Sequence, residues 1–188
     1  TFADVVGQSA TVTTLQRSLE QNKLHQAYLL TGTRGVGKTS IARILAKCMN
    51  CEQELSSTPC GSCASCTAIT DGNFVDLIEI DAASHTKVED IRTILDNIPY
   101  RPNNARYKVY LIDEVHMLSN HSFNALLKTL EEPPEYVKFI LCTTDPQKLP
   151  ATILSRCLRF HLHNLSPEEI KQHLDKILQQ EKIDFADA

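Results

Sequence analysis

The sequence predicts an α/β fold in which a five-stranded parallel sheet is covered by helices on both faces. Three observations predict it. Short apolar runs alternate with segments of helical periodicity along the 188 residues, the order expected of repeated βα units. A glycine-rich turn, Gly32-Thr33-Arg34-Gly35-Val36-Gly37-Lys38-Thr39, lies between the first apolar run and the helix after it. The other conspicuous polar groups, Asp113-Glu114 and Thr143-Thr144, directly follow later apolar runs. Parallel sheets carry their ligand sites outside the carboxyl ends of the strands, so these positions converge on one edge.

The elements follow in order. Residues 10–22 predict a first helix, and Ala27–Thr31 a short apolar strand that stops at Gly32. In Thr39–Cys48, residues Ile41, Ile44, Leu45 and Cys48 share one helical face. Positions 50–73 break the pattern with Gly, Pro, Ser and Cys. Val75–Ile80 reads as the second strand, Val88–Asn97 as a helix, and Lys108–Asp113 as the third strand. Phe123–Leu130 is a helix stopped by Pro133-Pro134; Val137–Cys142 and Leu158–Leu162 are the last two strands. Ser166-Pro167-Glu168-Glu169 has the form of a capping box with proline at the first helical position, opening a helix that runs to about Glu181. A domain boundary is expected near residue 164, with 1–164 the main domain and 165–188 the start of a second one.

Composition narrows the class. Apolar residues make up 42% and charged residues 22%, enough to bury a core, and 19 basic against 23 acidic residues give a net charge of −4. No uncharged apolar run approaches the ~18 residues of a membrane helix. The start, Thr1-Phe2-Ala3-Asp4, has neither a basic region with an apolar stretch nor an initiator Met, and an excised fragment is expected. A membrane protein, a disordered tail and a protein gripping nucleic acid by bulk positive charge are excluded.

The turn Gly32–Thr39 fits G-x-x-x-x-G-K-[ST] in full. Its glycines permit positive φ and let phosphate approach the backbone, so consecutive N–H groups and the helix start form an anion cradle. Lys38 supplies a compact positive charge for the β/γ-phosphates, and the Thr39 hydroxyl suits Mg²⁺. Asp113, at the end of the third strand, is the second Mg²⁺ candidate, directly or through water; Glu114 would orient or deprotonate the attacking water. His116 reads as local packing. Phosphoryl transfer asks for a further cation near the γ-phosphate, and Arg156, in Ser155-Arg156-Cys157, is one of eight arginines that could supply it from a neighbouring subunit.

Five of the seven cysteines fall between positions 48 and 66, the pattern of a metal site in a reducing compartment. Cys48, Cys51, Cys60, Cys63 and Cys66 offer five candidates for four tetrahedral positions. Cys48 lies on the apolar face of the helix after the phosphate loop and reads as a core thiol. That leaves Cys51, Cys60, Cys63 and Cys66, a closed thiolate set that implies a structural Zn²⁺ stapling an insertion over about 49–73. Cys142 and Cys157 read as buried thiols.

Together these residues resemble the gamma/tau family of bacterial DNA polymerase III, clamp-loader ATPases of the AAA+ class. The resemblance runs nearly end to end. It is carried by Gly32–Ser40 (GTRGVGKTS), the Cys51–Cys66 knuckle, Leu111–Leu118 (LIDEVHML), Phe123–Pro134 (FNALLKTLEEPP), Thr143–Pro150 (TTDPQKLP) and Ser155-Arg156-Cys157. It implies an AAA+ P-loop NTPase domain with a zinc knuckle and the beginning of a helical lid domain. ATP would sit on Gly32, Thr33, Arg34, Gly35, Val36, Gly37, Lys38, Thr39 and Ser40, with Val5, Val6 and Gly7 lining the adenine. Asp113 and Glu114 correspond to the Walker B pair, Thr144 to the sensor-1 position, and Arg156 to an arginine finger acting in trans. Cys51, Cys60, Cys63 and Cys66 match the family's zinc ligands. The second sensor arginine falls beyond Ala188. His85 stands where the family is expected to carry arginine, and Thr86, Lys87 and Arg92 are DNA-facing groups on this reading.

The activity so implied is ATP hydrolysis by a motor subunit of the DNA polymerase III holoenzyme, loading a sliding clamp onto primed DNA in the bacterial cytoplasm. Its implied partners are the other subunits of a hetero-pentamer, the sliding clamp, primer–template DNA and, indirectly, single-stranded-DNA-binding protein, with no membrane. Two alternatives stand beside it. A nucleotide-holding scaffold subunit that does not hydrolyse is disfavoured by intact Lys38, Asp113 and Glu114. An AAA+ helicase or initiator leaves the cysteine knuckle unexplained.

Overall fold

The structure, a computed structural model, describes residues 1–84 and 93–180. After a 3₁₀ turn at Phe2–Asp4 come α1 (Ser9–Glu20), β1 (Ala27–Thr31), α2 (Lys38–Asn50), α3 (Ala64–Asp71), β2 (Leu77–Asp81) and β3 (Lys108–Asp113). A 3₁₀ turn at Val115–Met117 leads to α4 (Asn120–Glu131), β4 (Val137–Thr143), α5 (Ala151–Leu154), β5 (Leu158–His161) and α6 (Pro167–Gln180). Residues 93–96 are also helical. The strands form one sheet in the order β2-β3-β4-β1-β5, and every neighbouring pair is parallel. Among the described residues no helix is long and apolar enough to cross a membrane.

β1 and β4 are buried along their whole length, and β3 at every position but its ends. This is why they read as continuous apolar runs: both faces need cover. Period-2 alternation then divides their side chains. Tyr28, Leu30, Val109, Leu111, Ile140 and Cys142 meet Leu15 and Leu19 of α1, Ile41, Leu45 and Met49 of α2, and Ile69 of α3. Leu29, Tyr110, Ile112, Phe139 and Leu141 meet Leu95, Ile98, Phe123, Leu126 and Leu130, and Ile153 of α5. Each fully buried Leu, Ile or Phe stabilises by about 1.5–3 kcal/mol. On the second face the Tyr110 and Phe139 rings stack at 5.5 Å.

The topology fixes the site. β1 and β4 are neighbours, with Thr31 opposite Thr143. α2, which follows β1, packs on the first face, and α5, which follows β4, packs on the second. Adjacent strands whose connections leave on opposite faces open a crevice at their carboxyl ends.

Several boundaries differ from the sequence reading. The second strand is Leu77–Asp81, not Val75–Ile80, and Val75 is 71% exposed. Its apolar character signals no burial; the Phe74 carbonyl instead accepts the Leu77 N–H in a turn before the strand. The segment 50–73, expected to be irregular, contains α3. A cysteine sulfur (Cys63) caps its start, and Gly72 in the left-handed conformation ends it. α4 begins earlier than Phe123, because the Ser119 hydroxyl accepts the Ser122 N–H as an N-cap. The capping box at α6 forms: Ser166 N–H donates to Glu169 Oε2 at 2.8 Å, and Glu169 N–H to Ser166 Oγ at 3.2 Å. The first half of the helix expected over Val88–Asn97 and the end near Glu181 lie outside the described residues.

Candidate functional site

The phosphate loop leaves β1 at Gly32. A Cβ there would lie 2.7 Å from the Leu162 carbonyl oxygen, so the β1–β5 packing itself demands glycine. Gly37, with φ of 96°, is the N-cap of α2 and turns the chain sharply into the helix. Lys38 is buried, and its Nζ donates to the Gly32 and Thr33 carbonyls at 3.0 and 2.9 Å. The loop thereby holds its own cation at its mouth. Val36 points the other way and packs against the first core cluster. Thr33, Arg34, Gly35 and Ser40 line the cleft with Lys38 and Thr39.

The opposite wall comes from β3 and β4. The Thr39 hydroxyl donates to Asp113 Oδ2 at 2.6 Å, joining the start of α2 to the end of β3. Glu114 adopts the left-handed conformation, with φ of 46°, which costs on the order of 1–3 kcal/mol for a non-glycine residue. Such strain gathers at functional turns, and here it swings the carboxylate toward β4. Glu114 Oε2 accepts from the Thr144 N–H at 3.2 Å and from the Thr144 hydroxyl at 2.9 Å. The resulting open cleft of about 900 Å³ is lined by the loop, Asp113, Glu114 and Thr144. It has the size, the amide-rich floor and the paired hydroxyl and carboxylate that a nucleoside triphosphate with Mg²⁺ requires.

The structure also places in the cleft residues that sequence reasoning did not single out: Asp81 at the end of β2, Ala83 just after it, and Met117. His116, read from the sequence as local packing, lines the cleft as well. The strand-end register Asp81–Asp113 was the available signal, hidden by the misplaced start of β2. His116 Nδ1 lies 2.9 Å from Thr143 Oγ1 and 3.3 Å from Glu114 Oε2.

Other expected residues lie away from these walls. Arg156 pairs with Glu131 Oε1 at 2.8 Å and donates to the Thr152 carbonyl at 2.9 Å, outside the cleft of its own chain. Val5 packs on the first core cluster, while Gly7 lies against Leu165. None of Val5, Val6 and Gly7 lines the cleft. The chain at 162–165 joins this segment to the phosphate loop, since Gln8 Nε2–H donates to the His163 carbonyl at 2.6 Å and Thr33 bonds Asn164. His85, Thr86, Lys87 and Arg92 lie outside the described residues.

The second cluster is sulfur. The Sγ atoms of Cys51, Cys60, Cys63 and Cys66 all lie within 4.8 Å of one another. A tetrahedral ion with bonds of about 2.3 Å sets its sulfurs about 3.8 Å apart, inside that envelope. Backbone N–H groups point at three of the sulfurs: Cys60 N–H at Cys51 (3.4 Å), Cys63 N–H at Cys60 (3.3 Å) and Cys66 N–H at Cys63 (3.4 Å). Such donors favour thiolate over thiol. The N–H groups of Ser62 and Cys63 pull the Cys60 thiol down to about 6, whereas burial pushes the Cys66 thiol up to about 12. Cys48 stays out of the cluster: it is buried in the first core, and its thiol is pushed up to about 12 by desolvation. Cys142 is buried in β4, and Cys157 packs against the second core.

Comparisons with known proteins identify the family and the fold. The family described as DNA polymerase III, delta subunit, matches residues 7–166. The chain belongs to this family. It is 68% identical over 187 residues to DNA polymerase III subunit tau/gamma of Haemophilus influenzae, covering all of this chain and 27% of that protein. The chain thus spans about a quarter of that relative's length. A Thermotoga maritima DNA polymerase III gamma subunit-related protein shares the fold, with a TM-score of 0.62 and 25% identity over 92% of this chain and 53% of its own. The Thermotoga maritima RuvB Holliday junction branch migration motor gives a TM-score of 0.67 at 20% identity, covering 94% of this chain and 52% of that one, a likeness of fold alone. The fold is that of the AAA+ P-loop NTPases.

The sulfur environments predict an order of reactivity. In metal-free protein at pH 7, iodoacetamide should modify Cys60 ahead of Cys48 and Cys142, as read by mass spectrometry of the peptides. Labelling of Cys48 at the rate of Cys60 would contradict it.

Proposed function

We propose that this chain is the ATP-binding and hydrolysing part of a motor subunit of the bacterial DNA polymerase III clamp loader. In this role ATP binding and hydrolysis drive the loading of a sliding clamp onto primed DNA. One observation carries the reading: the Thr39 hydroxyl and the Asp113 carboxylate meet at 2.6 Å in a cleft that also holds Lys38, Glu114 and Thr144. The tau/gamma relative supports the assignment to the replicative polymerase.

Each residue then has a role that its chemistry fits. The amides of Gly32–Ser40 bind the phosphates, and Lys38 holds a positive charge against the β- and γ-oxygens. Thr39 and Asp113 are the hydroxyl and carboxylate to hold Mg²⁺, which when bound neutralises charge developing on the phosphoryl oxygens. Glu114 accepts a proton from the attacking water, and Thr144 orients Glu114 and the γ-phosphate side of the cleft. Arg156 sits on the surface in an exchangeable pair with Glu131, from which a neighbouring subunit's nucleotide can recruit it. Val5, Val6 and Gly7 are on the adenine side in this reading; Gly7 lies against Leu165 and Val5 packs on the first core cluster. Cys51, Cys60, Cys63 and Cys66 hold a structural Zn²⁺, with no open coordination position for catalysis.

Residues 1–164 form the ATPase domain, and 165–188 begin a helical lid. α6 supports this, because Ile170, Leu174 and Ile177 expose one apolar stripe for further helices to cover. The partners are the other subunits of a hetero-pentamer, the sliding clamp and primer–template DNA, with single-stranded-DNA-binding protein engaged indirectly. The site of action is the bacterial replisome in the cytoplasm. The non-hydrolysing scaffold reading is opposed by the presence of Lys38, Asp113 and Glu114 in one cleft. RuvB-like folding does not favour a helicase, since the likeness extends only to the fold.

Three outcomes test the proposal in the full-length protein. Glu114→Gln should lower ATP turnover by about 10²–10⁴-fold while nucleotide binding persists, the usual scale of a lost general base; unchanged turnover would exclude Glu114 as that base. Arg156→Ala should keep nucleotide affinity and lose DNA-stimulated hydrolysis in the assembled complex, by roughly 10³-fold or more. Normal stimulated rates would refute the trans role. Cys63→Ser should lose zinc by metal analysis and destabilise the insertion, yet leave ATP binding intact. Full zinc content in that variant would overturn the ligand set.

A further inference from the structure

We propose that His116 is a positioning residue for Glu114, tying the general base to the end of β4. The inference rests on the assignment of Glu114 as base in the proposed ATPase. Three observations converge on it. First, the left-handed backbone at Glu114 starts the 3₁₀ turn Val115–Met117, closed by the Met117 N–H on the Glu114 carbonyl at 2.8 Å. That turn folds the imidazole back over the carboxylate two residues before it. Second, the imidazole is largely enclosed, with 9% of its side chain exposed. Third, Nδ1 contacts two groups at once: Thr143 Oγ1 at 2.9 Å and Glu114 Oε2 at 3.3 Å.

The direction of the hydrogen bonds follows from the neighbours. Thr143 Oγ1 accepts the Asp145 N–H at 3.0 Å, so its position is fixed by backbone, and Thr143 itself is fully buried. An unprotonated Nδ1 would set a lone pair against the Glu114 carboxylate. An Nδ1–H instead donates to both oxygens, and we assign that tautomer. Glu114 Oε2 then receives three donors: the Thr144 N–H, the Thr144 hydroxyl and His116 Nδ1–H. Thr144 and His116 both line the cleft, but they are held differently. Among the described residues the Thr144 hydroxyl bonds only Glu114, whereas His116 is also anchored to the buried Thr143. It therefore keeps the carboxylate aimed when Thr144 turns its hydroxyl elsewhere. A flexible glutamate on a strained turn would otherwise sample other rotamers, and misplacement of a catalytic group by about 1 Å costs on the order of 10²-fold in rate.

The test compares His116→Asn with His116→Phe in the full-length protein and its assembled complex. The Asn side-chain N–H lies near the position of Nδ1–H, whereas Phe keeps ring volume and has no donor. Positioning predicts that His116→Phe lowers kcat by about 10- to 100-fold with nucleotide affinity within about twofold of the parent, and that His116→Asn recovers most of the loss. Thr143→Val should lower kcat in the same direction by removing the anchor. Thermal unfolding of each variant confirms that it is folded. A packing role predicts the reverse ranking, with Phe active and Asn impaired, and that result overturns the proposal, as does parental kcat in His116→Phe. Glu114→Gln is measured alongside: if it retains turnover, the base assignment itself fails, and that failure is read independently of the His116 ranking.

Discussion

The site depends on one constraint, the alignment of carboxyl ends that a parallel sheet imposes. β1 and β3 are not neighbours; β4 lies between them, so their ends are about 10 Å apart at ordinary strand spacing. The phosphate loop crosses that distance over the end of β4 and delivers Thr39 to Asp113. The intervening strand supplies Thr143 and Thr144, which fill the gap and take up the Glu114 carboxylate. The loop, Glu114 and Thr144 are thus brought together by strand order. The buried, two-faced core beneath them is what keeps that order rigid.

α2 links the two sites. Its first residue is Lys38 and its last is Asn50, 13 residues spanning about 20 Å. The phosphate loop precedes one end and the sulfur cluster follows the other. The insertion is too small for a core of its own and is fastened by polar contacts at the foot of the sheet. Asn50 exchanges two hydrogen bonds with the Tyr107 backbone at 3.0 and 2.9 Å, and Arg106 donates to the Cys51 and Glu52 carbonyls. The four sulfurs then gather the rest of the insertion around Cys51. This separation keeps the sulfur cluster out of the cleft that the phosphate loop lines.

Much of this was legible in the sequence because it is local. The phosphate loop occupies eight consecutive residues, and its glycines, Lys38 and Thr39 each have a steric or electrostatic reason. Cys48 was separable from the four clustered sulfurs by helix periodicity alone. The misreadings have equally local causes. Val75 is apolar but exposed, so a strand drawn from hydrophobicity began too early. α3 was hidden because its cap is a cysteine, whose spacing reads as a ligand signal before it reads as a helix start. His116 looked like packing because its meaning requires Thr143, 27 residues on, and a left-handed turn that no local pattern announces. Arg156 lies outside its own cleft, and the trans role proposed for it rests on the family resemblance. Periodicity carries no information about a neighbouring subunit.

The central claim is that the turn Gly32–Thr39 and the acidic end of β3 form a single magnesium–triphosphate site. A crystal structure of the full-length protein grown with Mg²⁺ and a non-hydrolysable ATP analogue tests it most directly. The account predicts phosphate density within hydrogen-bonding distance of the loop amides, with the ion between the Thr39 hydroxyl and the Asp113 carboxylate. Nucleotide bound elsewhere with the loop empty, or Asp113 turned away from an occupied loop, would contradict it.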